Sequence, residues 1–123
     1  MKRLLVLMAA LGVAACGGGG YGGSTSTGPQ TPALTADVAA TPSLAFTPGT
    51  VTLAQGGTVS FKFGSVEHNV YFDNAPAGAP ANITGQNANV TKALTFTTTG
   101  TYVYNCHIHP GMHGTVIVVA PTA

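Results

Sequence analysis

Four side chains could share one task. Cys106, His109 and Met112 form a Cys-x2-His-x2-Met run within Cys106-His107-Ile108-His109-Pro110-Gly111-Met112, and His68 stands some forty residues earlier in Glu67-His68-Asn69-Val70. A thiolate, two imidazoles and a thioether are soft or borderline donors. Soft sulfur selects copper, and imidazole suits it too; two His and one Cys in a trigonal set with a long axial Met is an electron-transfer copper centre. On this reading His68, Cys106 and His109 bind in the plane and Met112 is the weak axial ligand. Zinc matches less well, because thioethers are not among its usual ligands. A Cys106–histidine nucleophile would need an orienting third group and a substrate cleft, and nothing else in the chain suggests either. Taken singly, Cys106 reads as a small buried hydrophobe, Met112 as core filler and His68 as half of a surface pair with Glu67. Only the joint pattern argues for a metal.

Three of the donors can be aimed at one point by a tight loop between two strands, with Pro110 and Gly111 shaping its bend. His68 must come from elsewhere, so metal binding ties distant strands together. The surrounding pattern has period two from Thr41 onward. Thr58-Val59-Ser60-Phe61-Lys62-Phe63 alternates polar and apolar, as in a half-buried strand. Leu94, Phe96 and Thr98 share a face, as do Tyr102, Tyr104 and Cys106. Val116–Val119 is a short β-branched run, as in a strand covered on both faces. Gly56-Gly57, Asp73-Asn74, Gly85 and Gly100 read as turns, and residues 74–89, rich in Ala, Pro, Gly and Asn, as a long loop. Seven or eight short strands in such a span predict an all-β sandwich. His107, next to Cys106, should face away from the metal as a solvated side chain, and His113 similarly. Either could also help dock a partner or collect copper. Tyr102 is a candidate for a tyrosine-corner hydrogen bond.

The chain has 123 residues, one small domain's worth. Four basic and three acidic residues, 6% of the chain, exclude a basic nucleic-acid footprint and an acidic disordered tail. Four histidines are too few to build a second copper centre beside a first, which argues against a copper oxidase or nitrite reductase fragment.

The first fifteen residues read as a signal peptide. Lys2 and Arg3 precede an apolar run from Leu4 to Ala15, too short to span a bilayer, which needs about 20 residues. The run ends Val13-Ala14-Ala15-Cys16, which resembles a bacterial lipobox and implies lipidation at Cys16; ordinary cleavage leaving a plain thiol is the alternative. Export sets an oxidising compartment. With Cys16 acylated, Cys106 has no disulfide partner, so a lone thiol calls for a reason such as metal ligation. Cys16 to Gly28 holds 7 of the 17 glycines, and Pro, Thr and Ala continue to Ala40. Residues 16–40 are therefore expected to be a flexible linker, and residues 41–123 the domain.

The chain resembles a cupredoxin of the plastocyanin and amicyanin type. The resemblance rests on the Tyr102-x-Tyr104-x-Cys106 approach, the Cys106–Met112 loop, the Gly114-x-Val116 exit and His68-Asn69-Val70, and covers about residues 41–120. It implies a Greek-key sandwich, one type 1 copper held by His68, Cys106, His109 and Met112, and an Asn69 that braces the cysteine loop by hydrogen bonding. Glu67 and Ile108 stand where such proteins commonly have proline, and His107 and His113 are additional imidazoles. The expected function is single-electron transfer through the edge of His109 to redox proteins of the bacterial cell envelope. The protein would be a lipid-anchored monomer on the periplasmic side or the surface. A copper carrier using the same ligands is the rival.

Overall fold

A computed structural model describes residues 32–121; the expected signal peptide, Cys16 and the linker as far as residue 31 lie outside the described residues. Eight strands follow in order: β1 (Ala33–Ala40), β2 (Phe46–Thr47), β3 (Thr50–Phe63), β4 (His68–Asn74), β5 (Ile83–Asn87), β6 (Val90–Thr95), β7 (Gly100–Asn105) and β8 (His113–Val119). The hydrogen-bonded order is β2-β1-β3-β8-β7-β4-β5, with β6 also on β3. The parallel pairs are β1 with β3 and β3 with β8; the other pairs are antiparallel. The fold is an all-β Greek-key sandwich, as expected.

β3 makes two layers from one continuous path. Residues Thr50–Ala54 pair with β8, whereas Thr58–Phe63 pair with β1 on one side and β6 on the other. The strand changes partners at Gly56-Gly57, which the sequence suggested as a turn between strands. Both glycines oppose a single residue: Gly56 N–H donates to Phe96 O at 2.7 Å and Phe96 N–H donates to Gly57 O at 2.9 Å. Two residues facing one is a β-bulge, and Gly56 takes the left-handed φ of +86° that its first position favours. At Gly57 a Cβ would meet Leu53 Cγ at 2.7 Å and Leu34 O at 2.9 Å, so only glycine lets β1 cross this closely.

Four further expectations change. Ala33–Ala40, placed in the linker by its small residues, is a strand: it runs parallel to β3 from Thr35 opposite Thr58 to Ala40 opposite Phe63. Val38 and Ala40 are buried there, so a partner supplies the order that its own composition does not. The expected loop at 74–89 contains β5, and Asp73-Asn74 is the end of β4 rather than a turn. β8 is buried on one face through Val116 and Val118, while Ile117 and Val119 are only partly covered.

The core between the layers is built from Val38, Leu53, Val59, Phe61, Val70, Phe96, Tyr102, Tyr104, Val116 and their neighbours, and Cys106 and Met112 belong to the same cluster. Tyr102 donates its hydroxyl to Thr98 O, the expected corner bond. Tyr104 is packed edge-on by Phe46 and Phe61, at 4.8 and 5.3 Å between ring centres. Its ring lies over Gly114, directly opposite on β8, where any Cβ would collide with it. The strand carrying the thiol is thus anchored by aromatic packing just before Cys106.

Candidate metal centre

The hairpin of β7 and β8 closes on the seven residues from Cys106 to Met112. Asn105 pairs with His113 at its mouth, and Cys106 N–H donates to Met112 O at 2.9 Å, so both sulfur-bearing residues are held across the base of the loop. Met112 N–H reaches His109 O at 3.2 Å, and Gly111 turns the chain at a φ of +88°. Pro110 fixes the φ before that turn. His113 caps the bend by donating its Nδ1–H to Gly111 O at 3.0 Å. Cys106 and Met112 are buried, and His109 is half-buried.

His68 opens β4 and is completely buried. Its Nε2 lies 2.9 Å from Thr41 O; a carbonyl only accepts, so Nε2 carries the proton and Nδ1 is left with a free lone pair. Thr41 is itself fixed by the turn to Ala45, which accepts from Thr41 N–H at 2.9 Å. Burial is the main cause that lowers the His68 pKa; the Thr41 carbonyl opposes it and nearby His109 adds to it. The neutral imidazole is the form a metal needs.

The donor atoms converge. His68 Nδ1 lies 3.1 Å from His109 Nδ1, and Cys106 Sγ lies 3.9 and 3.7 Å from those two nitrogens. Two ring nitrogens and a sulfur, from two distant stretches of the chain, are thus aimed at one point. A first-row metal with bonds of about 2.0–2.3 Å to such donors, centred among three of them, spaces them about 3.5–4.0 Å apart. Both sulfur–nitrogen distances fall within that spacing and the nitrogen–nitrogen distance is about 0.4 Å short of it, a small opening of the two imidazoles, so the residues fit the metal. Among the described residues this is the one cluster of three His, Cys, Asp or Glu donors placed to hold an ion. Met112, buried at the end of the same loop, completes the set.

A profile of copper-binding proteins of the plastocyanin/azurin family matches residues 33–119, from the first strand to the last. The chain belongs to this family. Copper is its cofactor, and His68, Cys106, His109 and Met112 are arranged as a single site for it. The match begins at β1, which agrees with the strand found in the expected linker. Solved structures agree as well. An amicyanin from Paracoccus versutus (Thiobacillus versutus) is 29% identical over 76% of this chain and 94% of its own, with a TM-score of 0.57. A mutant plastocyanin of fern is 27% identical over 68% of this chain and 99% of its own, with a TM-score of 0.59. A copper-containing nitrite reductase from Thermus scotoductus SA-01 is 25% identical over 77% of this chain but only 24% of its own, with a TM-score of 0.61. A comparison with curated proteins found no match.

Asn69 occupies the bracing position expected of it. His107 N–H donates to Asn69 Oδ1 at 2.7 Å, and Asn69 Nδ2 donates to Gly85 O at 3.1 Å. The strand carrying His68 is thereby joined to the loop carrying Cys106. His107 faces away from the donors but is not simply solvated. Its ring stacks on Tyr71 at 3.9 Å and 9°, and its Nε2 lies 2.9 Å from Asp73. The hydrogen bond from His107 holds the Asp73 carboxyl below its ordinary pKa, with a second from Asn105 helping. Sequence reasoning missed Thr41, Tyr71, Asp73 and Asn87. Thr41 acts through its main chain, which no residue type announces. Asn87 lies in the stretch expected to be loop: it is buried and donates to His68 O at 3.0 Å and Thr84 O at 3.1 Å. A cleft of about 470 Å³ between β5 and β6, lined by Ala81–Thr84 and Thr91–Leu94, contains none of the four donors.

Proposed function

We propose that the protein is a single-electron carrier, in which Cys106, His68, His109 and Met112 would hold the copper ion. The observation that carries this reading is the triangle of Sγ and two Nδ1 atoms, closed from two distant strands and buried on the core side. Bound there, copper supplies a one-electron couple between Cu(I) and Cu(II). The chain's own part is rigidity. Thr41 fixes the tautomer of His68, Asn69 ties β4 to the cysteine loop, and the Cys106–Met112 main-chain bond closes that loop. Donors held this way move little when the charge between them changes, which lowers the cost of each transfer. Soft sulfur favours the reduced ion and imidazole serves both states.

His109 is the half-exposed member of the set, its Nδ1 turned towards the donors, and is the proposed exit for electrons. Exposed Pro110 and Gly111 adjoin it in the loop. So little charge fits brief, mainly apolar docking of redox proteins at the small end of interface size. The similarity to amicyanin and plastocyanin along nearly their whole length supports a carrier, whereas the nitrite reductase is matched over only a quarter of its chain. The lipobox-like Ala14-Ala15-Cys16 supports a lipid anchor at Cys16, removal of residues 1–15, and a place at the bacterial cell envelope.

Adding Cu(II) to the purified protein should give an intense blue thiolate charge-transfer band that Cys106→Ser abolishes. A pale spectrum of ordinary Cu(II)–nitrogen character would refute the centre. A carrier of electrons keeps its metal through many redox cycles; rapid loss of Cu(I) to a chelator or partner would make it a copper carrier instead. Fatty-acid labelling that survives Cys16→Ala would remove the anchor.

A further inference from the structure

We propose that Asn87 is a positioning residue for His68, which makes the short strand β5 part of the copper centre; this rests on the copper reading above. His68 has to place Nδ1 3.1 Å from one donor and 3.9 Å from another. Its ring is held at Nε2 by Thr41, but a ring held at one nitrogen still turns if its main chain moves. That main chain lies at an irregular point. β4 and β5 pair at His68 opposite Asn87 and at Val70 opposite Ile83, with a register shift between the two pairs. A shift of this kind interrupts the ladder and leaves main-chain groups to find other partners.

Two side-chain amides take the place of the missing rungs, each crossing to the other strand. Asn69 on β4 donates to Gly85 O on β5, and Asn87 on β5 donates to His68 O on β4. Asn87 Nδ2 also holds Thr84 O at 3.1 Å, so both hydrogens of one amide nitrogen are used. The chain from Thr84 to Asn87 passes through Gly85 at a φ of +81°, a left-handed conformation that glycine takes without strain. Asn87 is 8% exposed, so water replaces its two bonds poorly. Aspartate has the same shape and no amide hydrogens, and alanine has neither. Either substitution takes the amide donor away from the His68 carbonyl beside a free bulge, and the imidazole loses its fixed angle to Cys106.

The full chain is compared with Asn87→Ala and Asn87→Asp, and with Val59→Ala as a variant that loses core packing in β3 and none of the centre's residues. Both Asn87 variants should lose copper affinity about 10–100-fold, the range for partners that orient a metal's ligands. They should also shift the position or intensity of the blue thiolate band. In copper-free protein the His68 Nε2–H should exchange with solvent faster than in wild type, read by NMR. Val59→Ala should lower the melting temperature and leave all three readouts unchanged. If Asn87→Ala and Asn87→Asp melt lower but keep the wild-type affinity, spectrum and exchange rate, Asn87 is only structural and the proposal falls. If wild type itself forms no blue centre, the copper reading fails first and takes this role with it.

Discussion

The β7–β8 hairpin and the β4–β5 pair both reach the metal centre, and they are built on opposite plans. The hairpin keeps a regular register from Gly100 opposite Val118 to Asn105 opposite His113, and delivers Cys106, His109 and Met112 from one short loop. The β4–β5 pair slips its register beside His68, and holds its one ligand by side-chain amides and a distant carbonyl. Where the ladder is regular, local sequence suffices to aim three donors. Where it is broken, aim depends on partners far away in the chain, and those partners are Asn and main-chain groups that carry no metal signature.

Breaking each region in turn tests the comparison. The largest effect belongs to the hairpin: Cys106→Ser should remove the blue band entirely, read by visible spectroscopy after Cu(II) addition. The next belongs to the link between the regions. Asn69→Ala frees His107 N–H and Gly85 O together, and should cost about 10–100-fold in copper affinity by chelator competition. An unchanged affinity would mean that the two regions hold their donors independently.

The hairpin's own packing gives smaller, purely structural effects. Gly114→Ala drives a methyl into the Tyr104 ring and should destabilise by about 1–3 kcal/mol in denaturant unfolding. Tyr104→Phe should act in the other direction. Its hydroxyl is buried without a hydrogen-bond partner, so removing it should stabilise by about 1 kcal/mol. Burial raises the Tyr104 pKa well above its ordinary value of 10.0, which ties stability to alkaline pH. Below pH 10 the neutral phenol is present in both states and the margin is whole. Above it the unfolded chain gives up its proton first, and stability falls by about 1.4 kcal/mol per pH unit towards the folded pKa. Phenylalanine at this position should flatten that slope. Smallest of all, His113→Ala removes an exposed cap on Gly111 O and should change stability by less than about 0.5 kcal/mol. A large loss there would show that the bend of the loop needs more than Pro110 and Gly111.

The strands that could be read from sequence are those with strong alternation and large apolar residues, such as Thr58–Phe63 and Gly100–Asn105. Both keep the expected inward faces: Val59, Phe61 and Phe63 on β3, Tyr102 and Tyr104 on β7. β1 and β5 escaped because Ala-Leu-Thr-Ala-Asp-Val-Ala-Ala and Ile-Thr-Gly-Gln-Asn have weak intrinsic strand preference, and pairing with β3 and β4 makes them strands. Gly56-Gly57 has the composition of a turn, and becomes a bulge inside a long strand because Phe96 bridges both residues.

By itself, the sequence determined the chemistry: the four donor types, the loop that carries three of them and Asn69 beside the fourth. Those features are local, and a loop of seven residues leaves few ways to arrange its side chains. The tertiary structure decided which nitrogen of His68 faces the donors, which residues hold its main chain, and that Tyr71 and Asp73 engage His107. Each of these joins residues well separated in the chain, and such contacts are set by strand pairing and register, which residue types alone do not specify.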